Sequence, residues 1–161
     1  MNDIENLPYF KTPESQQEFD DGLKNFGRFG RLWQLALAKW LLIGQEKGYM
    51  KRGVYDGASE LTGIAKNTLQ HYVNTFKSIK SWGHPQDLSY SHYEITTHLN
   101  GEDQEYFLQQ AAENGWSIST LKQQIKDYQI RQEQEKREAQ WSDLDDLVKT
   151  IVPQPPIFDT S

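Results

Sequence analysis

Val54-Tyr-Asp-Gly-Ala-Ser-Glu-Leu-Thr-Gly-Ile-Ala-Lys-Asn-Thr-Leu-Gln-His-Tyr-Val-Asn-Thr-Phe76 reads as two short helices joined by a tight turn. The turn is Gly63-Ile64-Ala65, where glycine takes a positive φ without steric cost. Ala58 and Leu61 carry the first helix, and the small Ala58 lets the second cross it closely. The second helix opens at Lys66 and sets Leu69, Tyr72, Val73 and Phe76 at the i, i+3, i+4, i+7 spacing of one apolar face. Small residue, turn glycine, apolar residue, then an apolar stripe is the order of a helix-turn-helix. On that reading the second helix is a recognition helix, and its early polar side chains point at DNA.

Charge around this stretch agrees with the motif, although the total does not. The net charge of −6 over 161 residues argues against a polyanionic partner. Residues 24–80, however, hold ten Lys/Arg against three acids, a local +7, while 1–23 carry −5 and 81–161 carry −8. Attraction to phosphate depends on the local basic groups that displace counterions, so the distribution outweighs the sum. The chain has no cysteine, which excludes disulfides, thiolate metal sites and thiol nucleophiles and suits a cytosolic protein; with the DNA-binding reading, the expected localisation is cytoplasmic and nucleoid-associated. Its acidic first residues do not read as a signal peptide, and Leu41-Leu42-Ile43, the longest apolar run, is far too short to span a bilayer.

Working outward, strand signals are scarce and the expectation is all-α: a helical bundle with an N-terminal arm and an extended C-terminal helix and tail. Three parts are expected: an arm over 1–13, a helical domain over 14–128, and a polar helix with an acidic, proline-rich tail over 129–161. In the arm, Leu7-Pro8-Tyr9-Phe10 is an apolar anchor. A helix over 14–26 starts after Pro13. The most hydrophobic helix, over 32–44, puts Trp33, Leu37, Trp40 and Leu41 into the core. A glycine-rich loop then brings Lys51 and Arg52 to the helix-turn-helix. After a break at Trp82-Gly83-His84-Pro85, a helix is expected over 88–99. Ser91 and Glu94 have capping-box spacing there, Ser89 is a rival cap, and Asn100-Gly101 is the stop. A helix over 102–113 turns Tyr106, Phe107 and Ala111 inward and ends at Asn114-Gly115. The last helix starts near Ile118 with Leu121, Ile125 and Tyr128 on one stripe. Residues 129–140 are almost wholly polar, then Trp141, Leu144, Leu147, Val148 and Ile151 form an amphipathic stretch opposite Asp143, Asp145 and Asp146.

Three pieces in order, Thr62-Gly-Ile-Ala-Lys-Asn-Thr-Leu-Gln-His-Tyr72, Leu88-Ser-Tyr-Ser-His-Tyr-Glu-Ile95 and Gly115-Trp-Ser-Ile-Ser-Thr-Leu121, together resemble the helical DNA-binding domain of ParB-type partition proteins. The set is also similar to LmbU-type bacterial transcription regulators, where a tryptophan-rich helix precedes it. The resemblance covers about residues 32–127 and implies duplex DNA binding through the helix-turn-helix, commonly as a dimer. Two departures stand out. Nothing matches the ParB nucleotide-binding domain, so no nucleotide-driven clamp is implied. Position 65 is alanine where serine often caps the recognition helix, which leaves that helix start weakly capped.

The candidate base readers are Asn67, Thr68, Gln70, His71 and Asn74. Asparagine and glutamine match the adenine edge with two hydrogen bonds, and threonine matches a thymine methyl. Candidate phosphate contacts are Lys51, Arg52, Lys66, Lys77 and Lys80. His92 reads as a structural, hydrogen-bonded histidine. His92 and His98 stand six apart, the wrong spacing for one helical face, and no metal or cofactor is expected. No enzyme is expected either, for want of His-Glu-x-x-His, Gly-x-Ser-x-Gly or a glycine-rich phosphate loop. The expected function is a sequence-specific duplex DNA-binding protein of the transcription-regulator or partition type. The alternative is a helical adaptor whose acidic tail docks on a protein through Trp141, Leu144, Leu147 and Phe158. Expected partners are double-stranded DNA, a second copy as homodimer, and a protein for the tail, with no membrane.

Overall fold

A computed structural model of the chain describes residues 11–50, 53–83 and 85–151. Seven α-helices and two short 3-10 turns account for the regular structure among these residues, and no strand occurs in them. The helices are α1 (Gln16–Lys24), α2 (Trp33–Glu46), α3 (Gly53–Thr62), α4 (Lys66–Ser78), α5 (Tyr90–Thr96), α6 (Gly101–Asn114) and α7 (Ile118–Ile151). The chain divides into two compact units, Met1–Leu121 and Lys122–Ser161.

In the first unit α2 is the hub. Leu35, Ala36, Leu37, Ala38, Trp40, Leu41 and Gly44 are buried, so it is enclosed over most of its circumference. It packs against α1 and α4, and α4 also packs against α3. Burial of each leucine contributes about 1.5–3 kcal/mol. The α1–α2 crossing is reciprocal. A Cβ on Gly22 of α1 would lie 2.3 Å from Trp40 Cζ2, and one on Gly44 of α2 would lie 2.1 Å from Phe19 Cε2. Each helix thus offers a bare backbone to the other's aromatic ring. The two rings stack at 6.2 Å, and Trp40 Nε1 donates to the Phe19 carbonyl at 3.0 Å.

Helix α1 is shorter than its sequence suggests. Ser15 Oγ accepts from the Glu18 amide at 3.1 Å and fixes the start two residues after Glu14. The end comes at Lys24, and Phe26–Phe29 form a 3-10 turn. Arg31 just beyond it donates to the carbonyls of Pro85 and Leu88, tying the entry of α2 to the entry of α5.

Helix α5 is capped by Ser89, not by the Ser91–Glu94 pair. Its backbone N–H donates to His92 Nδ1 at 3.1 Å, while His92 Nε2 donates to the Trp116 carbonyl at 2.8 Å. One imidazole therefore joins the start of α5 to the α6–α7 corner, which gives a physical reason for Leu88-Ser-x-x-His and Gly115-Trp-Ser to occur together. Asn100 does not stop α5, which ends at Thr96; it starts α6, its side chain accepting from the Asp103 amide at 2.8 Å. Gly115 closes α6 in the left-handed conformation at φ 62°.

The inner face of α6 is Gln104, Phe107, Leu108 and Ala111, whereas Tyr106 points outward, 54 % exposed. The reason for a buried glutamine is plain. Gln104 Oε1 accepts the amides of Lys80 and Ser81 at 2.7 and 3.3 Å, where the chain leaves α4 without a helical partner for them. Helix α7 begins with Ser117 Oγ accepting from the Thr120 amide at 3.2 Å and continues unbroken to Ile151.

Candidate nucleic-acid interface

The α3–α4 pair is stitched at its turn by two hydroxyls. Ser59 Oγ donates to the Ile64 carbonyl at 2.7 Å, and Thr62 Oγ1 accepts from the Ile64 amide at 3.1 Å. Gly63 sits at φ 76°, a conformation that L side chains resist. Ala58 is buried in the crossing, as its size requires.

Helix α4 divides into two faces. Leu69, Val73 and Thr75 are buried, with Tyr72 and Phe76 half-buried beside them. Two edge-on aromatic contacts hold it in place: Tyr72 meets Trp33 of α2 at 5.6 Å and Tyr90 of α5 at 5.4 Å. The opposite face carries Lys66, Asn67, Thr68, Gln70, His71, Asn74 and Lys77, all exposed. All five candidate base readers thus share one solvent-facing surface, as do two of the candidate phosphate contacts. Ala65 occupies the N-cap with no side-chain hydrogen bond to the helix.

Two carboxylates border this face, and nothing in the local sequence signals their pairing. Asp56 of α3 lies 2.6 Å from Lys66 Nζ, and Glu94 of α5 lies 2.7 Å from His71 Nε2. Glu94 also stands near two phenols. Burial raises Tyr90 well above the ordinary tyrosine range; its hydrogen bond with Thr75 partly offsets this and Glu94 adds to it. Tyr72 is raised by burial and then by Glu94.

Lys80 is placed differently from Lys66 and Lys77. Its Nζ donates to the Leu99 carbonyl at 3.2 Å, closing the turn before α6. Lys51, Arg52 and Phe158 lie outside the described residues, as do the 7–10 anchor and His84. In the second unit every residue from Gln129 to Ile151 is exposed. Trp141, Leu144 and Leu147, three of the candidate docking residues, are 73 %, 55 % and 56 % exposed. No helix among the described residues is long and apolar enough to cross a membrane.

The chain matches no protein-family model, no curated protein and no solved structure.

Proposed function

We propose that this chain binds double-stranded DNA sequence-specifically, laying α4 in the major groove, as a regulator of transcription or a partition-type factor. The observation that carries the reading is the two-faced α4. Its apolar side packs against α2 and α3 and meets Tyr90 of α5, while seven exposed positions hold side chains suited to base edges and phosphates. A helix anchored on one side and polar on the other is what a major groove accepts. Each matched base contact is worth about 1–3 kcal/mol of discrimination.

The test is selection of bound duplexes from a random pool, followed by a salt titration on the selected site. A consensus and a linear fall of log K with log salt, about 0.9 per phosphate contacted, are expected. Asn67→Ala with Gln70→Ala should flatten the preference at individual positions, whereas Lys77→Ala should weaken every sequence alike. The absence of both a consensus and a salt slope would refute the reading.

A second reading, protein docking by the tail, is favoured by one feature. Trp141, Leu144, Val148 and Ile151 repeat at three- and four-residue spacing and stay exposed on the unbroken α7. Exposed apolar stripes of this kind mark protein contacts. Leu144→Asp abolishing a partner's binding while leaving DNA binding intact would assign that role to the tail.

A further inference from the structure

His71 is held by a residue from another helix. Glu94 reaches across from α5 and its Oε2 lies 2.7 Å from His71 Nε2. A carboxylate only accepts, so the proton of that bond sits on Nε2. Both side chains reach solvent, the histidine 56 % exposed. Nδ1 of His71 has no hydrogen-bond partner among the described residues. When the imidazole is neutral, the proton on Nε2 is shared with Glu94 and Nδ1 keeps a lone pair that the described residues leave unused.

We propose that Glu94 is a positioning residue for base recognition: it fixes His71 in the tautomer that presents Nδ1 as an acceptor. The edge this geometry takes is an exocyclic amino group in the major groove, adenine N6 or cytosine N4, and not guanine, whose major-groove atoms only accept. The inference rests on the DNA-binding reading of α4 and deepens it. Without Glu94 the imidazole is free to rotate and to exchange its proton between nitrogens, and the guanine and thymine acceptors become equally good partners. Asp56 acts on the same face by another route. Its ion pair with Lys66 holds back a cation, so its effect does not depend on which base is opposite.

The experiment is base selection at pH 8 with the full chain, comparing wild type with Glu94→Gln, His71→Ala, the double variant and Asp56→Asn. Glutamine keeps the size of Glu94 but can donate as well as accept. Wild type should prefer adenine or cytosine at one position by about fivefold, the value of one hydrogen bond. Glu94→Gln should reduce that preference to below twofold and leave the other positions unchanged. His71→Ala should flatten the same position, and the double variant should flatten it no further. Asp56→Asn should tighten all sequences alike. A selected consensus that Glu94→Gln leaves intact, or that Asp56→Asn relaxes at the same base, overturns the role of Glu94 while DNA binding stands. A consensus that His71→Ala does not alter overturns it equally. Failure of the wild-type chain to select any duplex removes the DNA reading itself, and this inference with it.

Discussion

Alanine at Gly44 and at Gly57 is expected to move stability in opposite directions, although both glycines sit inside helices. In each case alanine gains about 1 kcal/mol of helix propensity. At Gly57 of α3 an added Cβ meets nothing within 4 Å, so the gain stands alone. At Gly44 of α2 the Cβ would fall 2.1 Å from Phe19 Cε2. The ring has little room to retreat: Phe19 is 2 % exposed, stacked on Trp40 and tilted against Tyr49 at 5.7 Å. Overpacking of this kind costs about 1–3 kcal/mol. Because the propensity gain is common to both, the difference between the two variants isolates the cost of the crossing, about 1–3 kcal/mol. Urea unfolding followed by tryptophan fluorescence reads it directly, since Trp40 lies in the affected contact. Gly57→Ala should raise the midpoint and Gly44→Ala should lower it at unchanged slope. Placing Gly44→Ala in a Phe19→Leu background, where the ring is gone, should recover part of the loss. Equal upward shifts of the two variants would show that α1 and α2 do not approach as closely as described.

Two further outcomes concern the interior. Gln104→Leu keeps the volume but removes the acceptor of two amides, Lys80 and Ser81, and should cost about 2–4 kcal/mol in the same urea assay. A loss below 1 kcal/mol would mean that water serves those amides instead. Tyr55, Tyr72 and Tyr90 are all raised by burial, so the folded chain holds their protons beyond pH 10 while the unfolded chain gives them up. Their stabilisation is complete below pH 10 and is lost as pH climbs above it. Absorbance at 295 nm should show delayed phenol ionisation, and Tyr90→Phe should make the alkaline loss of stability shallower.

The α3–α4 pair was readable from spacing because its apolar residues, turn glycine and small crossing residue all lie within one short stretch. Helix α2 was readable because so many of its positions are apolar that any register buries it. What escaped the sequence depends on a second element. Gly22 and Gly44 look like ordinary helix-weakening glycines until each is set beneath the ring it accommodates. Ser91 and Glu94 have the spacing of a cap, yet Ser89 takes that place with His92 because the imidazole is also drawn to the Trp116 carbonyl. Glu94 is thereby left to reach His71. In α6 the large Tyr106 looked internal and the polar Gln104 did not. The order is reversed by two orphaned amides that need a buried acceptor more than the core needs another ring. For the α4 face, the sequence named the exposed polar residues. It did not show that Lys66 and His71 each meet an acid from a neighbouring helix.

The alanine at position 65 has a dynamic consequence. With no side-chain acceptor at the N-cap, the amides of Lys66, Asn67 and Thr68 have neither a helical partner nor a capping one. This first turn is expected to exchange its amide hydrogens faster than the middle of α4, where Leu69 and Val73 are buried. Asn67 and Thr68 consequently stand on the softest part of an otherwise clamped rod, free to adjust by small backbone shifts without disturbing the packing beneath.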